Sequence, residues 1–298
     1  MIKLNTPFFR NLMKILSNEV IALYEDEIEI IYAKWGREFS DNLLFLNDIK
    51  NKGLIREFQN VPHTSCLNGI DFPTWFGDFK NKKILFLGID PMRNNKDFEK
   101  SKADSVNDVI IGTPYAFHIR GFRETRTNSY WQVISEVSKS NFVYVTDIYK
   151  TFFYTDNTKK IRSYEFWNKA ENLSFNQNHR KLLIEEINLI EPDLIITFGA
   201  LAYKVLTNTK YCPKLSLPLS CSERSVKPFD DKNISKKKSI PILPLMHLSG
   251  STRSEPLERF FKANGLTYSD QKDKRNAAGQ LYGKIIKEYI QKINITSP

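Results

Sequence analysis

No apolar run in the 298-residue sequence approaches the ~20 residues that a helix needs to cross a bilayer. The first 25 residues interrupt their apolar positions with Arg10, Lys14, Glu19 and Glu25, so neither a signal peptide nor a membrane anchor is read there. Cysteine is scarce. Cys66, Cys212 and Cys221 form no C-x-x-C pair, which argues against a disulfide framework and against a four-cysteine zinc or iron–sulfur site. A reducing, intracellular (cytoplasmic) setting is the expectation, with no membrane partner, no metal and no cofactor. Glycine, at 12 residues, and proline, at 13, are too few for a collagen-like or low-complexity chain. There is no G-x-x-x-x-G-K-[ST] loop and no G-x-G-x-x-G turn, which argues against ATPases and dinucleotide enzymes. No repeat of solenoid or propeller period is found. Acidic residues are in deficit, with 34 Asp and Glu against 44 Lys and Arg.

What is present suits a globular protein: apolar residues make up 41% of the chain and aromatic ones 13%, enough for a large core. The net charge of +10 favours a polyanion such as nucleic acid as partner, with an ordinary basic surface as the alternative. Residues 1 to about 60 carry apolar side chains near a 3.6 period, from Phe8, Leu12 and Leu16 to Ile31 and Trp35, so 1–75 reads as a helical N-terminal extension. Beyond it the pattern changes to short apolar runs at 84–89, 142–146, 194–198 and 240–246. Amphipathic stretches at 127–138, 178–190, 200–206 and 277–293 predict helices. The alternation predicts an α/β fold over 76–298, a three-layer α/β/α sandwich around a central four-stranded parallel sheet. The stretch 211–239, with Pro213, Pro218, Pro228 and the run Lys236-Lys237-Lys238, reads as an exposed insertion loop.

Open parallel sheets bind ligands beyond the carboxyl ends of their strands. Three ionisable residues stand at such ends: Asp90 in Asp90-Pro91-Met92, Asp147 after the run at 142–146, and His247 in His247-Leu248-Ser249-Gly250-Ser251. Each also has an ordinary structural reading, as a turn cap, a helix cap or a hydrogen-bonded core histidine. Their common edge predicts one shared cleft.

At these residues the chain resembles the uracil-DNA glycosylase superfamily. Leu87-Gly88-Ile89-Asp90-Pro91 is similar to the family's first motif, and His247-Leu248-Ser249-Gly250-Ser251-Thr252-Arg253 to its second. The segment Val143-Tyr144-Val145-Thr146-Asp147-Ile148-Tyr149-Lys150 and the segment from Pro192 to Ala202 resemble two stretches of an iron–sulfur branch. The four segments occur in the family's order over about residues 80 to 295. There are departures: Met92 stands for a tyrosine, Leu248 for a proline, Asp147 for an asparagine and Ser251 for a wedging leucine, and the iron–sulfur branch's four cysteines are absent.

The resemblance implies excision of uracil or another damaged or modified base from DNA, with the base flipped out of the stack; a monomer is the expectation, though nothing in the sequence fixes the oligomeric state. Breaking an N-glycosidic bond develops positive charge on the sugar and negative charge on the base, so an anion and a donor are needed. By resemblance Asp90 orients water and stabilises the sugar cation, and His247 donates to the base oxygen. Phe117, in Gly112-Thr113-Pro114-Tyr115-Ala116-Phe117, stacks on the base, and Met92 and Asp147 complete the base pocket. Ser249, Ser251 and Arg253 are candidates to grip phosphates, with a common turn as the alternative, and His118, Arg120, Arg123 and Arg126 read first as a solvated loop and otherwise as an extension of the basic face. An ionised Asp147 offers only acceptors where asparagine offers donor and acceptor. Either it is protonated by burial or the preferred base presents donors on that edge. Two other readings stand beside excision: a protein of this fold that captures a flipped base without cutting, and an α/β enzyme of a free nucleotide.

Overall fold

The computed structural model describes residues 44–46, 67–71, 73–89, 109–117, 129–154, 160–161, 173–220, 225–235, 239–248, 254–266 and 274–296. The strands are β1 (Leu44–Leu46), β2 (Leu67–Asp71), β3 (Thr74–Phe76), β4 (Lys83–Gly88), β5 (Val109–Gly112), β6 (Phe142–Asp147), β7 (Thr151–Tyr154), β8 (Lys160–Ile161), β9 (Leu194–Phe198) and β10 (Ile242–Leu245). The helices are α1 (Ser129–Ser138), α2 (Leu173–Ile190), α3 (Ala200–Thr207), α4 (Ser254–Ala263) and α5 (Lys274–Thr296). Two compact units divide the chain: Met1–Thr74 with Ile89–Arg120 and Thr146–Leu189, and Trp75–Gly88 with Gly121–Val145 and Ile190–Pro298.

The second unit is built on a sheet of order β10-β9-β4-β6-β3. Strand β9 pairs in parallel with β10, Leu245 opposite Phe198, and with β4, Leu194 opposite Ile84. Every residue of β6, β9 and β10 is buried, as are Ile84 to Gly88 of β4, which is why these strands read as unbroken apolar runs. Pro244 has no N–H to give a ladder, and it sits in β10, at the end of the strand order. At the other end of the strands the Asp193 carboxylate accepts the Lys83 N–H at 2.9 Å, tying the starts of β4 and β9 together.

Helices α1 and α5 approach closely where α5 carries Gly279 and Gly283, four residues apart and so on one face. A Cβ on Gly279 would run into the Ser129 carbonyl oxygen of α1, and one on Gly283 would lie 2.8 Å from Glu136 Cβ. Phe260 and Phe261 of α4 meet Tyr282 of α5 at ring separations of 5.7 and 5.6 Å. The 211–239 stretch is pinned where it is described: the Leu219 N–H donates to Asn264 Oδ1, the Lys227 N–H to the Tyr203 hydroxyl, and buried Phe229 bridges to Ile240.

The first unit holds a different sheet, of order β1-β5-β2-β7-β8. Its β1–β5, β2–β7 and β7–β8 pairs are antiparallel and its β2–β5 pair is parallel. The α/β class stands, but the single four-stranded parallel sheet does not. The four predicted runs do share one sheet, which has β3 as a fifth strand, and the chain also holds a second, mixed sheet. Strands of two to five residues carry too few residues for a periodic signature. For the same reason β1 is a strand inside residues 1 to about 60, which local periodicity assigns to helix. Four helices appear where predicted, and α4 is an addition. Among the described residues no helix is long and apolar enough to cross a membrane.

Candidate functional site

Three of the residues singled out in the sequence have described side chains: His247, Asp147 and Phe117. Asp90, Met92, Ser249, Ser251 and Arg253 lie outside the described residues, as do His118, Arg120, Arg123 and Arg126.

His247 follows the carboxyl end of β10 in the second unit and is partly exposed. Its imidazole stands edge-on to the Tyr130 ring, with centroids 5.4 Å apart and planes at 71°. The Tyr130 hydroxyl accepts the N–H of Leu248, the next residue, at 2.8 Å. Tyr130 is itself wedged against Phe198 of β9 at 4.8 Å, so the sheet sets its position. Opposite, Gly199 takes φ of 90° between β9 and α3, and its N–H donates to the Leu245 carbonyl at 2.7 Å. A Cβ built on Gly199 would lie 3.6 Å from His247 Cβ and 3.7 Å from Cδ2. These are ordinary contact distances, so glycine answers to the backbone: a residue with a side chain is strained at that φ. One aromatic ring, one hydroxyl and one glycine thus hold the His247 turn. Neither Tyr130 nor Gly199 was among the residues read as functional, and the one available signal was Gly199, at the end of an apolar run.

Asp147 and Phe117 belong to the first unit. Asp147 closes β6 and is 3% exposed. Beside it is a buried charged cluster. Lys150, with no exposed surface, places Nζ 2.6 Å from Glu186 Oε2 and 2.9 Å from the Asp147 carbonyl oxygen, and donates as well to the Thr146 hydroxyl. Thr146 in turn donates to Glu186 Oε1 at 3.2 Å. Glu186 and His179 are seven residues apart on α2 and so share a face, and His179 stands edge-on to Tyr149 at 5.4 Å. Burial, reinforced by the nearby Lys150 charge, pushes the His179 imidazole down to about 3. The histidine is neutral and Lys150 is matched by Glu186, so the cluster carries ions without net charge. The main chain here is fixed too: the Tyr149 N–H donates to the Ile89 carbonyl at 3.0 Å and the Asp71 N–H to the Lys150 carbonyl at 2.7 Å. Ile89 immediately precedes Asp90 in the sequence.

Phe117 is fully buried after a short helical turn at Pro114–Ala116. Tyr115 within that turn has φ of 57°, unusual for a side chain of its size, and its ring lies 5.4 Å from that of Phe117. Among the described residues no three His, Cys, Asp or Glu side chains gather in a way that could hold a metal ion.

A family model described as the uracil DNA glycosylase superfamily matches residues 74–265, well over half of the chain. No curated protein matches the chain significantly.

Proposed function

The chain belongs to the uracil DNA glycosylase superfamily, and from that premise we propose that it is a DNA glycosylase that hydrolyses the N-glycosidic bond of uracil or another damaged or modified base. The family match carries the reading; the firmly held turn at His247, at the end of a parallel strand, supports it. The base leaves C1′ with the bonding electron pair, water adds to the sugar cation, and the proton that water gives up passes to Asp90 or solvent and ends on the departed base anion. Asp90 stabilises that cation and orients the water, while His247 donates to the base oxygen on which charge collects. Tyr130 and Gly199 give His247 a fixed approach without touching substrate. Asp147 reads the edge of the base and favours one that presents donors, and Met92 walls the pocket beside it. Phe117 stacks on the base, which requires its ring, fully buried in this structure, to be uncovered. Ser249, Ser251 and Arg253 hold phosphates, and a chain of net charge +10 suits DNA as the partner. The glycosylase domain spans 76–298, with 1–75 as its extension, and acts as a monomer.

The test is a single-turnover assay on oligonucleotides carrying uracil, deaminated purines and unmodified cytosine, with the abasic product split by alkali. We expect cleavage of at least one modified base, with Asp90→Ala and His247→Ala each slowing it by about 10² or more and leaving DNA affinity nearly intact. Cleavage that survives both substitutions would exclude the mechanism. Salt-dependent binding with no cleavage of any substrate would favour a protein that captures a base without excising it.

A further inference from the structure

The Lys150–Glu186 pair has no part in the chemistry just described, yet both of its side chains are buried, at 0% and 3% exposure. Stability is a poor reason for it, because an apolar pair of similar volume in the same place is often as stable or more so. Lys150 Nζ meets three acceptors, Glu186 Oε2, the Thr146 hydroxyl and the Asp147 carbonyl, so the three donors of an ammonium are all used within the cluster.

The third of those bonds points to the function. Lys150 reaches back three residues to the main chain of Asp147 and closes a tight loop at the end of β6. Its own carbonyl accepts from Asp71, and its neighbour Tyr149 donates to Ile89. One buried bond therefore holds the Asp147 carbonyl itself, and two more hold the main chain two and three residues further on. Glu186 and Thr146 fix the ammonium so that it can hold only this geometry. We infer that Lys150, clamped by Glu186, is a positioning residue that fixes the Asp147 backbone and thereby sets which base edge the site accepts. The inference rests on the reading of Asp147 as the residue that meets the base edge.

The experiment uses the full chain and measures the ratio of single-turnover rates across uracil, cytosine and deaminated-purine oligonucleotides. Where a substrate is bound but not cut, the ratio of dissociation constants replaces it. The pair is removed as Lys150→Met with Glu186→Met, which leaves no unmatched buried charge. This is done in the wild-type background and again in Asp147→Ala. The expected result is a preference ratio flattened about tenfold or more in the wild-type background and changed less than about twofold in Asp147→Ala, the signature of residues acting through one another. A preference that survives loss of the pair, while Asp147→Ala abolishes it, overturns the positioning role and leaves the Asp147 reading intact. No effect of Asp147→Ala removes that reading and the inference with it. An equal shift in both backgrounds means that the pair acts elsewhere and also overturns the inference. If the apolar pair does not fold, Lys150→Met with Glu186→Gln is scored by the same outcomes.

Discussion

His179 links the buried cluster to solution conditions. Its folded imidazole is held down to about 3 by burial and by the Lys150 charge, whereas in the unfolded chain it titrates near its ordinary value of ~6.5. Between those two values the unfolded chain binds a proton that the folded chain refuses. Stability is therefore fully present above ~6.5 and declines as pH falls towards 3, by about 1.4 kcal/mol per pH unit from this group. His179→Gln takes up no proton, so its urea midpoint should fall less steeply than that of the wild type between pH 6.5 and 4.5. Parallel declines would show that the imidazole is protonated in the folded protein. How much of this was legible varies with distance along the chain. Asp147 and His247 could be found because each directly follows its own apolar run. Tyr130 could not, since its bond to Leu248 spans 118 residues. The Lys150–Glu186 pair spans 36, and nothing in either local sequence announces the other.

At the scale of elements, legibility follows burial. Strands β4, β6 and β9 were readable because continuous burial leaves an unbroken apolar run. The sheet of the first unit was not, because its strands are defined by pairings such as Leu44 opposite Ile111 rather than by local composition. Helix α5 was readable from its period, but not the reason for Gly279 within it. Alanine there would gain up to ~1 kcal/mol of helix propensity. Its Cβ would meet the Ser129 carbonyl oxygen and lie 2.9 Å from Gln132 Cβ, and main chain cannot step aside as a flexible side chain can. Overpacking of this kind costs about 1 to 3 kcal/mol, so it outweighs the propensity gain. Gly279→Ala should lower the unfolding free energy by about 1 to 2 kcal/mol in urea, and a gain would mean that α1 and α5 separate freely.

The charge of the whole molecule sets the third expectation. A chain of +10 that holds DNA through phosphates releases counterions on binding, so log affinity should fall linearly with log salt, by ~0.9 per phosphate engaged on duplex. Fluorescence anisotropy over about 50 to 200 mM salt checks this. An affinity that ignores salt would assign the basic surface to solvation alone. The order in which the chain visits its two units bears on its birth at the ribosome. Each unit is assembled from three separate stretches, and β4, flanked by β9 and β6 in the sheet, is made long before β9. The Asp193 carboxylate that receives the Lys83 N–H lies 110 residues downstream. At ~5 to 20 residues per second the apolar β4 segment waits about 5 to 20 s for that neighbour. Its edge is open to other nascent chains throughout that interval, so the yield of soluble protein depends on how quickly translation passes from Lys83 to Phe198.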